Sequence, residues 1–499
     1  MHLNLLPLTA FLLISPVIST AADLTLRYEK PATSWMREAV PIGNGHMAAM
    51  LFGGVDADQI QFNEESLWIG DEGDTGAYQA FGDVWVRFGT AAPPTTATAE
   101  ATPTGYRREL DLNRAVHSVG FVQAGVTHRR EAFASYPARV MAFRYTADKP
   151  GALTGSVALT DMHNAAISAA GDTLTAAGSL AGHTIQGGSS KKMPGDSYGL
   201  ALRYEAQVRV LHDGGTVKID DGKISFTNTN TLTLLLAAGT DFVQDRTRGW
   251  KGEDPHGKVT ARLAEASRRT WDDLLTEHLR DYQGLFKRVS LDLGTSTAAA
   301  QPTDQRMINF NKTKERDPQL ETLLFQYGRY LLIASSRQGG VPANLQGKWN
   351  NTNNPPWRCD YHTDINIQMN YWLTDMANLS ECFAPFADWI NSIRPVRTEA
   401  TLKEFNKPGW LMRGESGLFG GSTWDWVPGT SAWLMQNSYD HYRFTGDKDY
   451  LRTRAYPAMK EICTYWTESL IAQPDGTLVT PIGLSPEHGP KEIGISFDQ

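Results

Sequence analysis

The stretch Gly215-Thr216-Val217-Lys218-Ile219-Asp220-Asp221-Gly222-Lys223-Ile224-Ser225-Phe226 leads, through Thr227 to Asn230, into Thr231-Leu232-Thr233-Leu234-Leu235-Leu236-Ala237. The first two runs alternate polar with apolar residues, the period of a strand with one buried face. Asp220-Asp221-Gly222 has the composition of a tight turn. The third run is largely apolar, as expected of a strand covered on both faces. Strands with turn residues every roughly eight to twelve positions predict a β-sandwich. Leu200 to Leu211 and Val140 to Tyr145 repeat the pattern, and the region from Leu24 to about Leu291 reads mainly as strands. Within it, Ala91 to Pro103 is rich in Pro, Thr and Ala and reads as a mobile surface loop.

The pattern changes after Val259. Ala261 to Phe286 has helical spacing, and Leu291 to Pro302 reads as a strand end and linker. Helices are predicted over Leu320 to Ser335, from Ile365 into the Asn378 region, and over Phe386 to Ile393, Ser431 to Phe444 and Tyr450 to Ile471. The fold class is therefore multidomain, β then α. The expected divisions are a signal peptide over 1–22, a β-sandwich with a terminal helical linker over 23–291, and a helical domain over 292–499. A chain of 499 residues is too long for one ordinary core.

Residues Leu3 to Ile18 are mostly apolar and are followed by Ser19-Thr20-Ala21-Ala22, a leader with a small-residue cleavage site. The expected location is secreted or periplasmic, without stable membrane insertion. A net charge of −8 without basic blocks argues against nucleic acid as a partner. Cys359, Cys382 and Cys463 are too few for a disulfide framework, and buried packing is their expected role. No cofactor and no metal is expected, because HExxH, P-loop and CxxC patterns are all missing from the sequence.

Nine of the 14 Trp lie between Trp349 and Trp466. Trp349, Trp357, Trp410, Trp424 and Trp426 fall on expected loops, where aromatic faces could pack on sugar C–H patches. Trp372, Trp389, Trp433 and Trp466 fall in helices and read as core. Three segments combine carboxylates or amides with these aromatics. In Tyr361-His362-Thr363-Asp364-Ile365-Asn366, the residues His362, Asp364 and Asn366 share one face only if the backbone is extended before a helix begins. Capping of that helix by Asp364 or Thr363 is the competing reading. Thr480 to Pro490 holds Glu487 among three prolines and two glycines, suiting a general acid whose proton affinity is raised by burial or a nearby carboxylate. Pro342 to Trp357 is dense in amides, including Asn344, which could read sugar hydroxyls or close turns.

Together these segments resemble glycoside hydrolase family 95, whose members are chiefly inverting α-L-fucosidases. Ala39 to Met47, Phe62 to Trp68, Arg413 to Gly417 and His441 to Asp447 share the likeness. The resemblance implies an amino-terminal β-sandwich, a helical linker and an (α/α)6 barrel. It implies that Glu487 is the general acid, that Asn366 handles the attacking water, and that His362 lines the sugar pocket. Trp349, Trp357, Asn344 and Trp424 are the expected substrate-binding residues, and a fucosylated or related oligosaccharide is the expected partner. Two departures stand out. Asp364 occupies a position that is Asn in the family's fucosidases, so it could act as the base or orient Asn366. The sequence also stops at Gln499, soon after the acid loop, so the barrel is expected to be incomplete, from a truncated chain or split gene, with a partner carboxylate farther on. α-L-Galactosidase activity, a related (α/α)6 glycoside phosphorylase using Lys348 and Arg358, and an inactive carbohydrate-binding protein are the alternatives.

Overall fold

The computed structural model describes residues 23–89, 102–185 and 197–498. The leader reading at 1–22 and most of the loop reading at 91–103 lie outside the described residues. Two antiparallel sheets face each other. The nine-stranded sheet runs Thr25–Tyr28, Thr104–Asp111, Val116–Gln123, Val126–Ser135, Val140–Ala147, Thr231–Thr240, Arg203–Asp213, Thr173–Ser179, Ala166–Ala170. The seven-stranded sheet runs Thr216–Asp220, Lys223–Thr229, Leu153–Leu159, Gly82–Phe88, Ala57–Glu64, Met47–Leu51, Val40–Gly43.

The two kinds of strand in the opening stretch have different fates. Thr216–Asp220 is a sheet edge, so Ile219 stays 45% exposed despite its alternation. Thr231–Thr240 is central and covered on both sides. Leu232, Leu234 and Leu236 enter the sandwich core, whereas Leu235 and Ala237 join a second cluster with Val259 and Leu263. Each fully buried Leu contributes about 1.5–3 kcal/mol.

Val259 and Leu263 belong to helix α1 (Pro255–Ala266), which lies on this sheet. The single helical run read from Ala261 to Phe286 is two helices. Thr270 caps the second, α2 (Trp271–Phe286), in a reciprocal capping box with Asp273. The segment read as a linker is followed by a short helix, α3 (Thr303–Thr313). Then come α4 (Pro318–Ser335), α5 (Asn366–Met376), α6 (Ala384–Phe405) and α7 (Pro428–Thr445). A last helix spans Tyr456–Ser469. Helix α6 is longer than its apolar pattern indicated.

Sandwich and helices share one apolar cluster reaching from Leu24 to Ile462. The seam is also polar and specific. Tyr330 Oη donates to the Pro41 carbonyl at 2.7 Å, and the Gln61 and Asn63 amides both donate to the Asn350 carbonyl at 2.8 Å. This seam corrects the reading of the loop tryptophans. Trp349 is 7% exposed, and its indole N–H donates to the Ile42 and Ala49 carbonyls of the sandwich. Trp410 is fully buried away from the seam, within the helical part, where it donates to the Ala458 carbonyl of the Tyr456–Ser469 helix at 3.1 Å. Conversely, Trp372, read as core, is 46% exposed, and Cys463 is exposed while Cys359 and Cys382 are buried.

Gly417 marks one of the tightest approaches across the seam. A Cβ there would lie 2.2 Å from the Thr75 carbonyl oxygen. Gly417→Ala is therefore expected to destabilise the protein by about 1–3 kcal/mol through forced separation of the two backbones. Urea unfolding of the variant measures this, and an unchanged midpoint would refute it.

Candidate functional site

Two segments pair to create the site. Tyr361 N donates to the Ser416 carbonyl and Thr363 N to the Gly414 carbonyl, each at 2.9 Å. The backbone is thus paired at 361 and 363, turns through 363–365 and becomes helical at Asn366, so the extended path that would place His362, Asp364 and Asn366 on one face is interrupted by this turn. Tyr361 and Thr363 are buried at 1% and 0% exposure. Alternation sends Asp360 and His362 to the other side. Helix α5 has no side-chain cap at all, so neither Asp364 nor Thr363 serves as one.

His362 Nδ1 pairs with Asp360 Oδ1 in a short contact. Burial lowers the imidazole's proton affinity, but the bond and charge of Asp360, with Asp364 and Glu415, raise its pKa to about 9. Burial pushes Asp360 itself up to about 7, against the opposing effect of His362. Asp364 is 6% exposed and also raised, first by burial and then by the charges of Glu487 and Glu415. Asp364 Oδ1 and Asp360 Oδ2 are buried oxygens without a protein partner. Such atoms cost stability unless something fills the space beside them.

Glu415 lies on the hairpin formed by Arg413–Ser416 and Ser422–Trp426 and accepts from Thr423 Oγ1 at 2.8 Å. The sandwich reaches the same place, because Thr75 Oγ1 lies 2.7 Å from Thr423 Oγ1. Glu487 sits on the turn between Ile482–Leu484 and Lys491–Ile493 and is exposed. The expected burial of the acid is therefore not met, while its neighbour carboxylate, Asp364, is present. Lys491 Nζ donates to Asp425 Oδ1 at 3.0 Å and ties this turn to the Ser422–Trp426 strand. Asn366 opens α5, and its carboxamide has no hydrogen-bond partner among the described residues.

The aromatic expectations divide. Trp424 has φ +65°, and its ring lies so close to Gly414 that a Cβ there would be 2.1 Å from it. Trp357 is 69% exposed and begins three successive residues, with Arg358 and Cys359, at positive φ. Left-handed backbone at bulky residues is costly and clusters at functional sites. Trp349 is held in the seam described above. Asn344 is 3% exposed, and its carboxamide oxygen accepts from Gln346 N at 2.9 Å, closing a turn. Both are thus occupied structurally rather than gathered with the carboxylates.

Asp360 and Glu415 were not singled out in the sequence. Asp360 continues the two-residue spacing of His362 and Asp364 one step upstream, which was a usable signal. Glu415 became meaningful only once its strand paired with 361–363. Replacing Asp360 by Asn removes the charge that holds the His362 proton. The His362 titration, followed by NMR, is expected to fall from about 9 by roughly 1–3 units. A midpoint that stays put would exclude the pairing.

The cations considered for phosphate are engaged. Lys348 is 1% exposed and bound to Glu65 at 2.9 Å and to the Val341 carbonyl at 2.7 Å. Arg358 faces Thr423 at 3.3 Å, Asp74 at 3.7 Å and Glu415 at 3.8 Å.

Residues 270–497 match the glycosyl hydrolase family 95 catalytic domain. Over these residues the chain is a family 95 catalytic domain. Its sandwich, over residues 26–84 and 72–245, matches the glycosyl hydrolase family 65 N-terminal domain. Alpha-L-fucosidase 2 of Arabidopsis thaliana is 31% identical over 93% of this chain and 61% of its own length. An Aspergillus niger protein named for alpha-fucosidase A is 29% identical over 94% of this chain and 64% of its own. The chain thus spans less than two thirds of these curated relatives. A solved structure from the human microbiome, named for kojibiose phosphorylase, superposes with TM-score 0.58 at 10% identity, covering 92% of this chain and 62% of that one. That likeness concerns fold alone, a β-sandwich followed by (α/α)6-type helices. The family's catalytic match begins at α2, upstream of the boundary expected at residue 292.

Proposed function

We propose that this chain hydrolyses terminal α-L-fucosyl linkages of oligosaccharides with inversion at the anomeric carbon. The observation that carries the reading is the open pair of buried carboxylate oxygens, on Asp360 and Asp364, where 361–363 pairs with the hairpin of Glu415, with the Glu487 turn tied to the same hairpin through Lys491 and Asp425. Glu487 donates its proton to the leaving oxygen. Asp364, a stronger base than an ordinary carboxylate, accepts a proton from a water that Asn366 orients. Inversion requires the acid and the base to stand roughly 6.5–9.5 Å apart, with that water between substrate and base. The His362 imidazolium, fixed by Asp360, offers a donor to a ring hydroxyl, and Trp357 and Trp424 offer apolar faces. We also assign the chain to the cell exterior or periplasm, on the apolar run Leu3 to Ile18 and the small residues after it. Amino-terminal sequencing of exported protein beginning near Asp23 would support this.

The test is the purified chain with an aryl α-L-fucoside, watched by proton NMR. β-L-Fucose should appear first. Initial release of the α anomer, or no release with binding retained, overturns the hydrolytic reading. Faster cleavage of the α-L-galactoside would move the sugar assignment, and a strict need for phosphate would indicate phosphorolysis.

A further inference from the structure

Two amino-terminal stretches that the reaction does not use, Ala39 to Met47 and Phe62 to Trp68, border a second cavity of about 440 Å³. Its walls include Glu64, Thr240, Arg139, Lys258 and Arg262, and none of Asp360, His362, Asp364, Glu415 or Glu487 lines it. This volume lies in the range of small-molecule sites. Lys258 and Arg262 are four residues apart on α1 and so share a helix face. Arg139 enters from the turn that follows Val126–Ser135.

The three cations act on one another. Partial burial lowers the proton affinity of Lys258, and the charge of Arg262 lowers it further, followed by that of Arg139. Like charges at this helical spacing oppose folding. Yet among the described residues none of the three forms an ion pair. Arg262 donates to the Ala238 carbonyl at 3.3 Å, and Arg139 lies over the Tyr136 ring at 4.6 Å. The carboxylates nearby, Glu64 and Glu65, offset this charge only in part, since the proton affinity of Lys258 stays lowered. Glu65 is held by Lys348 and His46. Glu64 accepts from Ser66 N at 2.8 Å and is pushed up to about 7 by burial and by Glu65, so it carries a proton part of the time. A half-protonated carboxyl bonds well to hydroxyls and poorly to a compact dianion. Three cations and a set of hydroxyl-binding groups around one cavity describe a ligand with one negative charge and several hydroxyls.

We propose that this cavity is a second carbohydrate site for an acidic monosaccharide. The carboxylate of a hexuronate sits among Arg139, Lys258 and Arg262, and its hydroxyls reach Glu64 and Thr240. Calorimetry on the full chain with galacturonate, galactose and inorganic phosphate tests it. Galacturonate should bind, galactose should bind at least about tenfold more weakly, and Lys258→Glu should abolish galacturonate binding. Lys258 is partly exposed and pairs with no carboxylate among the described residues, so its variant should keep the parental thermal midpoint. Glu487→Gln should bind galacturonate as the parent does. Equal binding of galactose, tighter binding of phosphate, an unaffected Lys258→Glu variant, or loss of binding in Glu487→Gln would each overturn the assignment.

Discussion

Glu487→Gln is expected to lower kcat/KM about 10²–10⁴-fold on an alkyl α-L-fucoside and far less on a nitrophenyl one. An alkoxide leaving group needs the proton that Gln cannot supply, whereas a nitrophenolate departs without it. Asp364→Asn should depress both substrates alike, because the water must be activated whatever leaves. The pH profile adds a readout that mere misfolding would not reproduce. A base must be ionised to work, so activity rises with pH through the pKa of Asp364, which lies above the usual carboxylate value. Because the acid must hold its proton while the base is ionised, the charge of Glu487 is absent from the working form. The acid limb should therefore survive in the residual activity of Glu487→Gln and be lost in Asp364→Asn. The reverse outcome would make Glu487 the base. Equal loss on both fucosides would remove Glu487 from the role of acid.

The sequence was most informative where local pattern and tertiary surroundings agree. Alternation at Ile224 and Phe226 gave the sandwich because those residues meet the opposite sheet. The same alternation at Val217 and Ile219 runs along an edge strand, where Val217 only borders the core and Ile219 stays exposed. The extended entry to α5 was legible in part, because the two-residue spacing holds from Asp360 to His362 and gives way to a turn at 363–365. Its partner, Arg413–Ser416, was not, since pairing across about fifty residues leaves no local period. Hence Glu415 went unnoticed. The loop tryptophans misled for a related reason. Loops lie on surfaces when one side meets solvent, but the loop carrying Trp349 runs between sandwich and helices. Its polar backbone is satisfied by Gln61 and Asn63, and its indole by Ile42 and Ala49. Nothing within Pro342 to Trp357 announces that second surface.

That seam also sets the largest expected loss of stability. Lys348→Met should destabilise the protein by roughly 3–5 kcal/mol, because it strands Glu65 in the interior without its cation. Glu65 is bound on one oxygen by His46 and on the other by Lys348 Nζ and by Val341 N at 2.9 Å. Burial alone would raise its pKa, but the charges and hydrogen bonds around it hold it at about 2. A folded-state pKa below the unfolded one stabilises at neutral pH, and this contribution is lost as pH falls from about 4.5 toward 2. In Lys348→Met the carboxylate keeps His46 but loses its other compensating charge, so the variant should gain stability relative to the parent on acidification, as Glu65 takes up a proton. The double variant Lys348→Met with Glu65→Gln removes both charges and should recover much of the loss. Thermal midpoints of the three proteins between pH 4 and pH 8 decide the matter. A single variant as stable as the parent, or a double variant no better than the single, would mean that the seam is held by its apolar contacts and not by this pair.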